Sequence, residues 1–431
     1  MAVQNYISGD SSVNIASSVE SAVAAGKLTA AELLPPVRSL AAQLRVSPAT
    51  VAAAYRLLRE RGVVVADGRR GTRVRSASPI SVPRDVPLPD DVVDLSDGNP
   101  DPSLLPRLPA LDLEQRLYGD ELNDSRLIEL AREQFRADRI DATHVSVVGG
   151  ALDGIERVLR EHLRPGDRVV VEDPCFTGIL DLLNALSLVA TPVPMDDEGL
   201  LPAPLRGAIR SASAVIVTPR AQNPTGAALS PRRARELRSI LATRRELLVI
   251  EDDHAGAVAG APYLSLLDKS RDRWAVVRSV SKSLGPDLRV ALLASDPQTH
   301  ARVEGRQTLG VRWVSHILQR LVVALWRDRA PARAGRTYTT RRTALLRELA
   351  TRGIPAHGAS GLNVWIPVAE ESATVQALLH AGWAVKAGER YRLASPPAIR
   401  VTIASLEPAD AARFAEDLAA VITPRRRASG A

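Results

Sequence analysis

The chain has 431 residues, 45% hydrophobic and 24% charged, too long for one ordinary domain and too apolar for a disordered one. Its single cysteine, Cys175, excludes a disulfide framework and a CxxC metal site, so no metal is expected. No apolar run approaches the roughly 20 residues that span a bilayer, and the start, MAVQNYISGDSSV, lacks a signal pattern, so a cytoplasmic protein without membrane contact is expected.

The net charge of +7 is unevenly placed. Residues 1–80 carry ten Lys/Arg against five Asp/Glu, and Arg425, Arg426 and Arg427 add three more, which leaves residues 81–424 at −1. A basic small module points to a polyanionic partner. There are four lysines, Lys27, Lys269, Lys282 and Lys386, so a lysine in a chemical context stands out.

Ser12–Ala25 has helical spacing, with Ser11 or Ser12 as cap. Pro35-Pro36 opens a helix through Leu44, with Val37, Leu40, Ala41 and Leu44 on one face. After a short turn, Ser47 is a natural N-cap and Pro48 takes the first helical position. The next helix runs to about Arg61 and carries Val51, Ala54, Tyr55 and Leu58 as its apolar face. Asp67-Gly68 then marks a hairpin between β-rich runs, flanked by Arg69, Arg70, Arg73 and Arg75. Two helices joined by a short turn, then a basic hairpin, form a winged helix.

The segments LPPVRSLA (34–41), VSPATVAAAY (46–55) and GTRV (71–74) resemble the GntR-type winged helix of bacterial transcription regulators. The resemblance implies that Arg38, Ser47, Thr50 and the wing residues Arg69, Arg70 and Arg73 approach double-stranded DNA. Pro48 stands where many members carry Arg. The DNA-binding domain is thus expected at 1–75. A proline-rich linker, SASPISVPRDVPLPDD, follows at 76–91.

Beyond residue 92, short β-branched runs alternate with helical stretches. The runs are 145–148, 168–172, 214–218, 247–251, 275–279 and 290–294. This pattern predicts an α/β fold with a mainly parallel sheet covered on both faces. Ligands in such sheets bind beyond the strands' carboxyl ends. There the sequence places Gly149-Gly150, Glu172-Asp173-Pro174-Cys175-Phe176, Asn223-Pro224-Thr225-Gly226, Asp252-Asp253-His254, and Ser279-Val280-Ser281-Lys282 with Arg289. Each is weak alone: a double glycine is usually a turn and an aspartate pair a cap. Their order at successive strand ends is what carries the reading.

That order resembles the fold-type I pyridoxal-phosphate enzymes of the aspartate aminotransferase superfamily, with a smaller C-terminal α+β subdomain. The resemblance implies that Lys282 forms a Schiff base with pyridoxal 5'-phosphate. It further implies that Asp252 pairs with the pyridine nitrogen, that Asn223 donates to the ring hydroxyl and that Phe176 stacks on the ring. Gly149, Gly150, Ser279, Ser281 and Arg289 would hold the phosphate. Tyr118 would reach a neighbouring subunit's phosphate, and Arg400 would grip an effector carboxylate. His254 stands near the place of a family tyrosine and could donate to the ring oxygen. The glycine loop is shorter than the family's.

A GntR winged helix, a linker and an aminotransferase-like domain, here 92–424 with a basic tail at 425–431, is similar to the layout of the MocR-type regulators. The expectation is a homodimeric transcription factor whose aldimine at Lys282 senses pyridoxal phosphate or an amino compound and alters operator binding. Three other readings stay open. The chain could be an active aminotransferase with a fused helix-turn-helix, or a regulator of vitamin B6 supply sensing pyridoxal phosphate itself. It could also be a DNA-binding protein whose large domain only dimerises.

Overall fold

The computed structural model describes residues 6–29, 32–60, 63–66, 71–74, 88–89, 91–111, 115–268 and 271–422. The expected hairpin tip at Asp67-Gly68, the wing residues Arg69 and Arg70, nearly all of the linker and the basic tail lie outside them.

The N-terminal unit contains α1 (Ser12–Ala24), α2 (Val37–Leu44), α3 (Pro48–Glu60), β1 (Val64–Ala66) and β2 (Thr72–Val74). Ser11 caps α1, its Oγ accepting from the Asn14 amide at 3.2 Å. Arg45, left-handed at φ 56°, ends α2 and makes the turn. Ile15, Ala16 and Val19 of α1, Leu40 and Ala41 of α2, and Val51, Ala54, Tyr55 and Leu58 of α3 bury together in one core. Apolar burial on this 3.6-residue spacing is what holds three short helices as a unit. β1 and β2 pair antiparallel, Val64 opposite Val74. A third short segment joins them: the Leu34 amide donates to Thr72 and the Val74 amide to Glu32. No alternation in the sequence marks residues 32–34 as a strand, because two hydrogen bonds suffice to dock them.

The large domain begins with β3 (Val93–Asp94), α4 (Ser125–Ala137), β4 (Val145–Val148), α5 (Ala151–His162), β5 (Arg168–Asp173) and α6 (Thr177–Ala185). It continues with β6 (Val189–Asp196), β7 (Gly199–Leu200), α7 (Pro202–Ala208), β8 (Ala214–Val217), α8 (Pro231–Leu241), β9 (Leu248–Asp253), β10 (Trp274–Ser279), α9 (Ser281–Leu284) and β11 (Ala291–Ser295). The eight-stranded sheet has the order β4-β11-β10-β9-β8-β5-β6-β7. Its centre, β5-β8-β9-β10, is parallel. β11 departs from that: it runs antiparallel to both β10 and β4. The connection of residues 280–290 is too short for the crossover a parallel return needs, so the chain turns back on itself. Strands β4, β8, β9, β10 and β11 are buried along their whole length, the mark of a sheet covered on both faces.

The remainder is α10 (Pro297–Leu309), α11 (His316–Leu325), α12 (Ala330–Thr351), β12 (Asn363–Pro367), α13 (Glu371–His380), β13 (Trp383–Ala384), β14 (Lys386–Ala387), β15 (Ala398–Thr402) and α14 (Ala411–Ile422). β12, β15 and β14 form a three-stranded sheet. Trp383 and Phe414 meet edge to face in its core, ring centroids 5.4 Å apart. β15 brings Arg400, far along the chain, towards the ends of the central parallel strands.

Candidate functional site

Lys282 is the second residue of α9, immediately past the end of β10. Its Nζ donates to the Gly98 carbonyl at 2.8 Å. Burial, and then the nearby Arg400 guanidinium, push its ammonium down from the ordinary lysine range. Both effects disfavour the charged form, so the amine is readied as a nucleophile.

Asp252, near the end of β9, is buried, and its Oδ1 has no hydrogen-bond partner among the described residues. Burial first, then the Asp253 and Glu172 carboxylates, raise it to about 8. The His254 Nδ1 lies 4.0 Å from Asp252 Oδ2, and burial drives that imidazole down to about 4. It is therefore neutral at pH 7, able to offer one N–H and one acceptor.

Asn223 follows β8. Its Oδ1 accepts from Arg400 Nη1 at 3.3 Å, which leaves the amide NH2 as its open donor. Arg400 is buried, donates its other terminal nitrogen to the Ser96 carbonyl, and lies 5.2 Å from the Tyr391 ring centre. Its Nε has no partner among the described residues.

Past the end of β10, Ser279 Oγ and Ser281 Oγ are 3.1 Å apart, and the Ser281 amide donates to Ser279 Oγ. Arg289, left-handed at φ 46°, reaches back so that its Nη2 donates to the Gly149 carbonyl at 3.1 Å. Gly150 takes φ 119°, a conformation that favours glycine, and a Cβ there would sit 2.6 Å from that Nη2, so a larger residue would displace the guanidinium. Gly149 departs from expectation. Its amide donates to Asp153 Oδ2 at 2.8 Å, so it is already satisfied within its own loop. The short glycine loop brings α5 close enough for that bond.

Phe176 is half-buried, and a Cβ on Gly178 would lie 2.6 Å from its ring. Tyr118 is 80% exposed and meets Trp313 at 5.7 Å, with the Arg312 guanidinium 5.1 Å from its ring.

Other groups that the sequence places at strand ends, without assigning them a role, shape the site. Asp253, fully buried, accepts from Arg220 Nε and Nη2 at 2.8 and 2.9 Å and from Arg278 Nε at 2.6 Å. Arg220 sits on the loop that carries Asn223, so this clamp ties that loop to the end of β9. Glu172, raised to about 7 by burial, accepts from the Thr218 amide and the Gln222 side chain. Asp173 accepts three amides, from Leu393, Ala394 and Ser395, and the Ser395 hydroxyl. Their place at the close of β-branched runs was visible in the sequence; their partners, drawn from distant loops, were not.

The residues fit pyridoxal phosphate. The orphaned Asp252 Oδ1 asks for a donor such as a protonated ring nitrogen. The missing Cβ atoms of Gly150 and Gly178 let Arg289 and Phe176 pack where a cofactor's phosphate and ring would need them. Lys282 and the Asn223 NH2 complete a set matching the aldehyde and the ring hydroxyl.

In the N-terminal unit Arg38 and Ser47 are exposed and Thr50 and Arg73 half-buried. Ser47 Oγ accepts from the Thr50 amide at 3.1 Å and lies 2.8 Å from Thr50 Oγ1, so Ser47 also caps α3 and Thr50 bonds the cap. Arg56 and Arg59, exposed on the same helix, are further basic groups that the motif does not name.

Comparison with known proteins places both halves. Residues 119–418 match the family model of class I and II aminotransferases, and residues 11–74 that of the gntR family of bacterial regulatory proteins. The chain is 40% identical over 424 residues to the vitamin B6 salvage pathway transcriptional repressor PtsJ of Salmonella typhimurium, covering 96% of this chain and 98% of that one. It is 28% identical over 314 residues to the pyridoxine biosynthesis regulator PdxR of Corynebacterium glutamicum, covering 67% of each. Among solved structures, the α-aminoadipate aminotransferase LysN of Thermus thermophilus superposes with a TM-score of 0.67 at 19% identity, over 77% of this chain and 92% of that one.

Proposed function

Because the chain belongs to the MocR-type regulators, a GntR winged helix joined to a class I and II aminotransferase domain whose cofactor is pyridoxal phosphate, we propose that it is a cofactor-sensing repressor controlling vitamin B6 supply. The observation that carries this is the strand-end set centred on Lys282 and the partnerless Asp252 Oδ1. Pyridoxal phosphate, when bound, supplies an aldehyde that condenses with amines and a ring that absorbs visible light. In this reading Lys282 presents its amine, Asp252 receives the ring nitrogen, and Asn223, oriented by Arg400, donates to the ring hydroxyl. Ser279, Ser281, Arg289 and the Gly150 amide hold the phosphate, and Phe176 covers the ring. His254 borders Asp252 as a neutral donor.

The effector is pyridoxal phosphate itself. Two relatives whose names place them in vitamin B6 salvage and pyridoxine biosynthesis support it. Arg400 supports a second reading, an amino acid or amine, but its terminal nitrogens are engaged by Asn223 and Ser96. Arg38, Ser47, Thr50 and Arg73 approach the operator, and the active species is a homodimer. The cofactor shifts DNA affinity only as far as it binds the two DNA-affinity states differently.

The test is operator binding titrated with pyridoxal phosphate alone, alongside the visible spectrum. Wild type should show a cofactor-dependent shift in affinity and a new absorbance band. Lys282→Ala should lose both. A Lys282→Ala protein whose DNA binding still responded fully would end this reading. Steady turnover of an amino donor with a keto acid would favour an enzyme instead.

A further inference from the structure

Positive charge is concentrated in one stretch of the large domain. Residues 320–352 hold nine arginines and two acids, within a region, 81–424, whose total is −1. Five of the nine have partners. Arg320 lies 4.0 Å from Asp124, Arg341 bonds Asp101 and Glu407, Arg342 donates to the Gly361 carbonyl, and Arg347 and Arg352 meet Glu348. The other four, Arg327, Arg329, Arg333 and Arg336, are exposed and form no ion pair among the described residues.

Their placement is unfavourable for the helix they sit on. Arg329 directly precedes α12, and Arg333 and Arg336 follow four and seven residues on, along one face. At 1.5 Å per residue the face spans roughly 10 Å. The first turn of α12 has no acidic residue, and a helix N-terminus already carries partial positive charge. Like charges stacked there repel each other and the helix dipole. Only Asp328 lies among them, and its Oδ1 accepts from the Ala330 amide. A multiply charged anion would relieve this repulsion. Duplex DNA carries about one charge per 1.7 Å of axis, so a face of this length meets several phosphates, and guanidinium forks grip phosphate oxygens bidentately.

We propose that Arg327, Arg329, Arg333 and Arg336 form a second, sequence-independent DNA contact on the large domain, taking the backbone of duplex that flanks the operator. The proposal rests on the winged helix reading DNA. An acidic protein segment would match the charge but not the dependence on duplex length.

The test uses the full chain and a duplex selected for binding to it, made in a core length and in a form extended by about one helical turn or more on each side. Affinity is measured across a salt series for wild type and for the Arg329→Gln/Arg333→Gln/Arg336→Gln variant. Wild type should bind the extended duplex at least tenfold more tightly, with a steeper salt dependence. The variant should keep wild-type affinity for the core and lose the gain from extension, its slope on the long duplex falling by about 2–3. Its melting temperature should stay level or rise, because repulsion has been removed. Extension that helps both proteins equally, a lowered melting temperature, or a changed oligomeric state would overturn the proposal. Failure of wild type to bind even the core would instead strike the winged-helix reading.

Discussion

Asp252 shows most clearly how one residue links fold to ligand. Its carboxyl is raised to about 8 by burial and by Asp253 and Glu172, so the cofactor-free fold holds a proton there that the unfolded chain has released. The native state binds more protons than the unfolded one between about pH 4 and 8, so this group lowers stability as pH rises through that window. Asp252→Asn removes the ionisation. The cofactor-free variant should be as stable as wild type only below about pH 4, and more stable by a growing margin up to pH 8.5, read as urea midpoints. The same variant should bind pyridoxal phosphate roughly tenfold or more weakly, having lost a charge-assisted bond. A variant less stable than wild type at pH 8.5 would show that the carboxylate is already satisfied. The residue's type and its place after a β-branched run were legible in the sequence. Its missing partner was not, because that depends on what fails to reach it from other strands. Likewise the motif assigned Gly149 to a phosphate, while the bond to Asp153, four residues on, appears only when loop length and helix entry are seen together.

At the scale of elements, the recognition helix shows one residue serving two ends. Ser47 caps α3 through its Oγ and the Thr50 amide, and in the proposed reading it also faces DNA. Substitution separates the roles. Ser47→Ala should lower stability by about 1 kcal/mol through loss of the cap. Ser47→Asp keeps an excellent cap and gains from the helix dipole, yet sets a negative charge against phosphate. Thermal melts should therefore rank aspartate level with or above serine, while DNA affinity should fall furthest for aspartate. Equal DNA binding by the aspartate variant would remove Ser47 from the interface. The helices were readable because periodicity, caps and Pro48 agree. Six of the sheet's eight strands were readable as runs, but not β6, whose exposed and proline-bearing positions break the run, nor the two-residue β7. The reversal of β11 was not readable either, since direction follows from the length of the connection and not from strand composition. The pairing of residues 32–34 with the wing left no pattern at all.

For the whole molecule, the exposed apolar side chains of the large domain raise the question of what covers them. Leu117, Tyr118, Leu309 and Val311 are all at least 66% exposed, and Tyr118 packs edge to face on Trp313, which joins the two chain segments into one patch. Clustered exposure of this kind marks an interaction surface rather than scattered surface residues, and a homodimer is the occupant that the proposed function calls for. The family resemblance has Tyr118 complete a neighbour's phosphate site, and its 80% exposure leaves it accessible for such a role. Leu309→Glu with Val311→Glu should bury two charges in that contact and give monomers by sedimentation. Those monomers should then bind pyridoxal phosphate more weakly than the dimer, since each pocket loses the other chain's tyrosine. Tyr118→Phe, in a protein that remains dimeric, should reproduce part of that loss by removing only the hydroxyl. Monomers with undiminished cofactor affinity would show that each chain builds its pocket alone. They would also leave Tyr118 with no task beyond its contacts with Trp313 and Arg312.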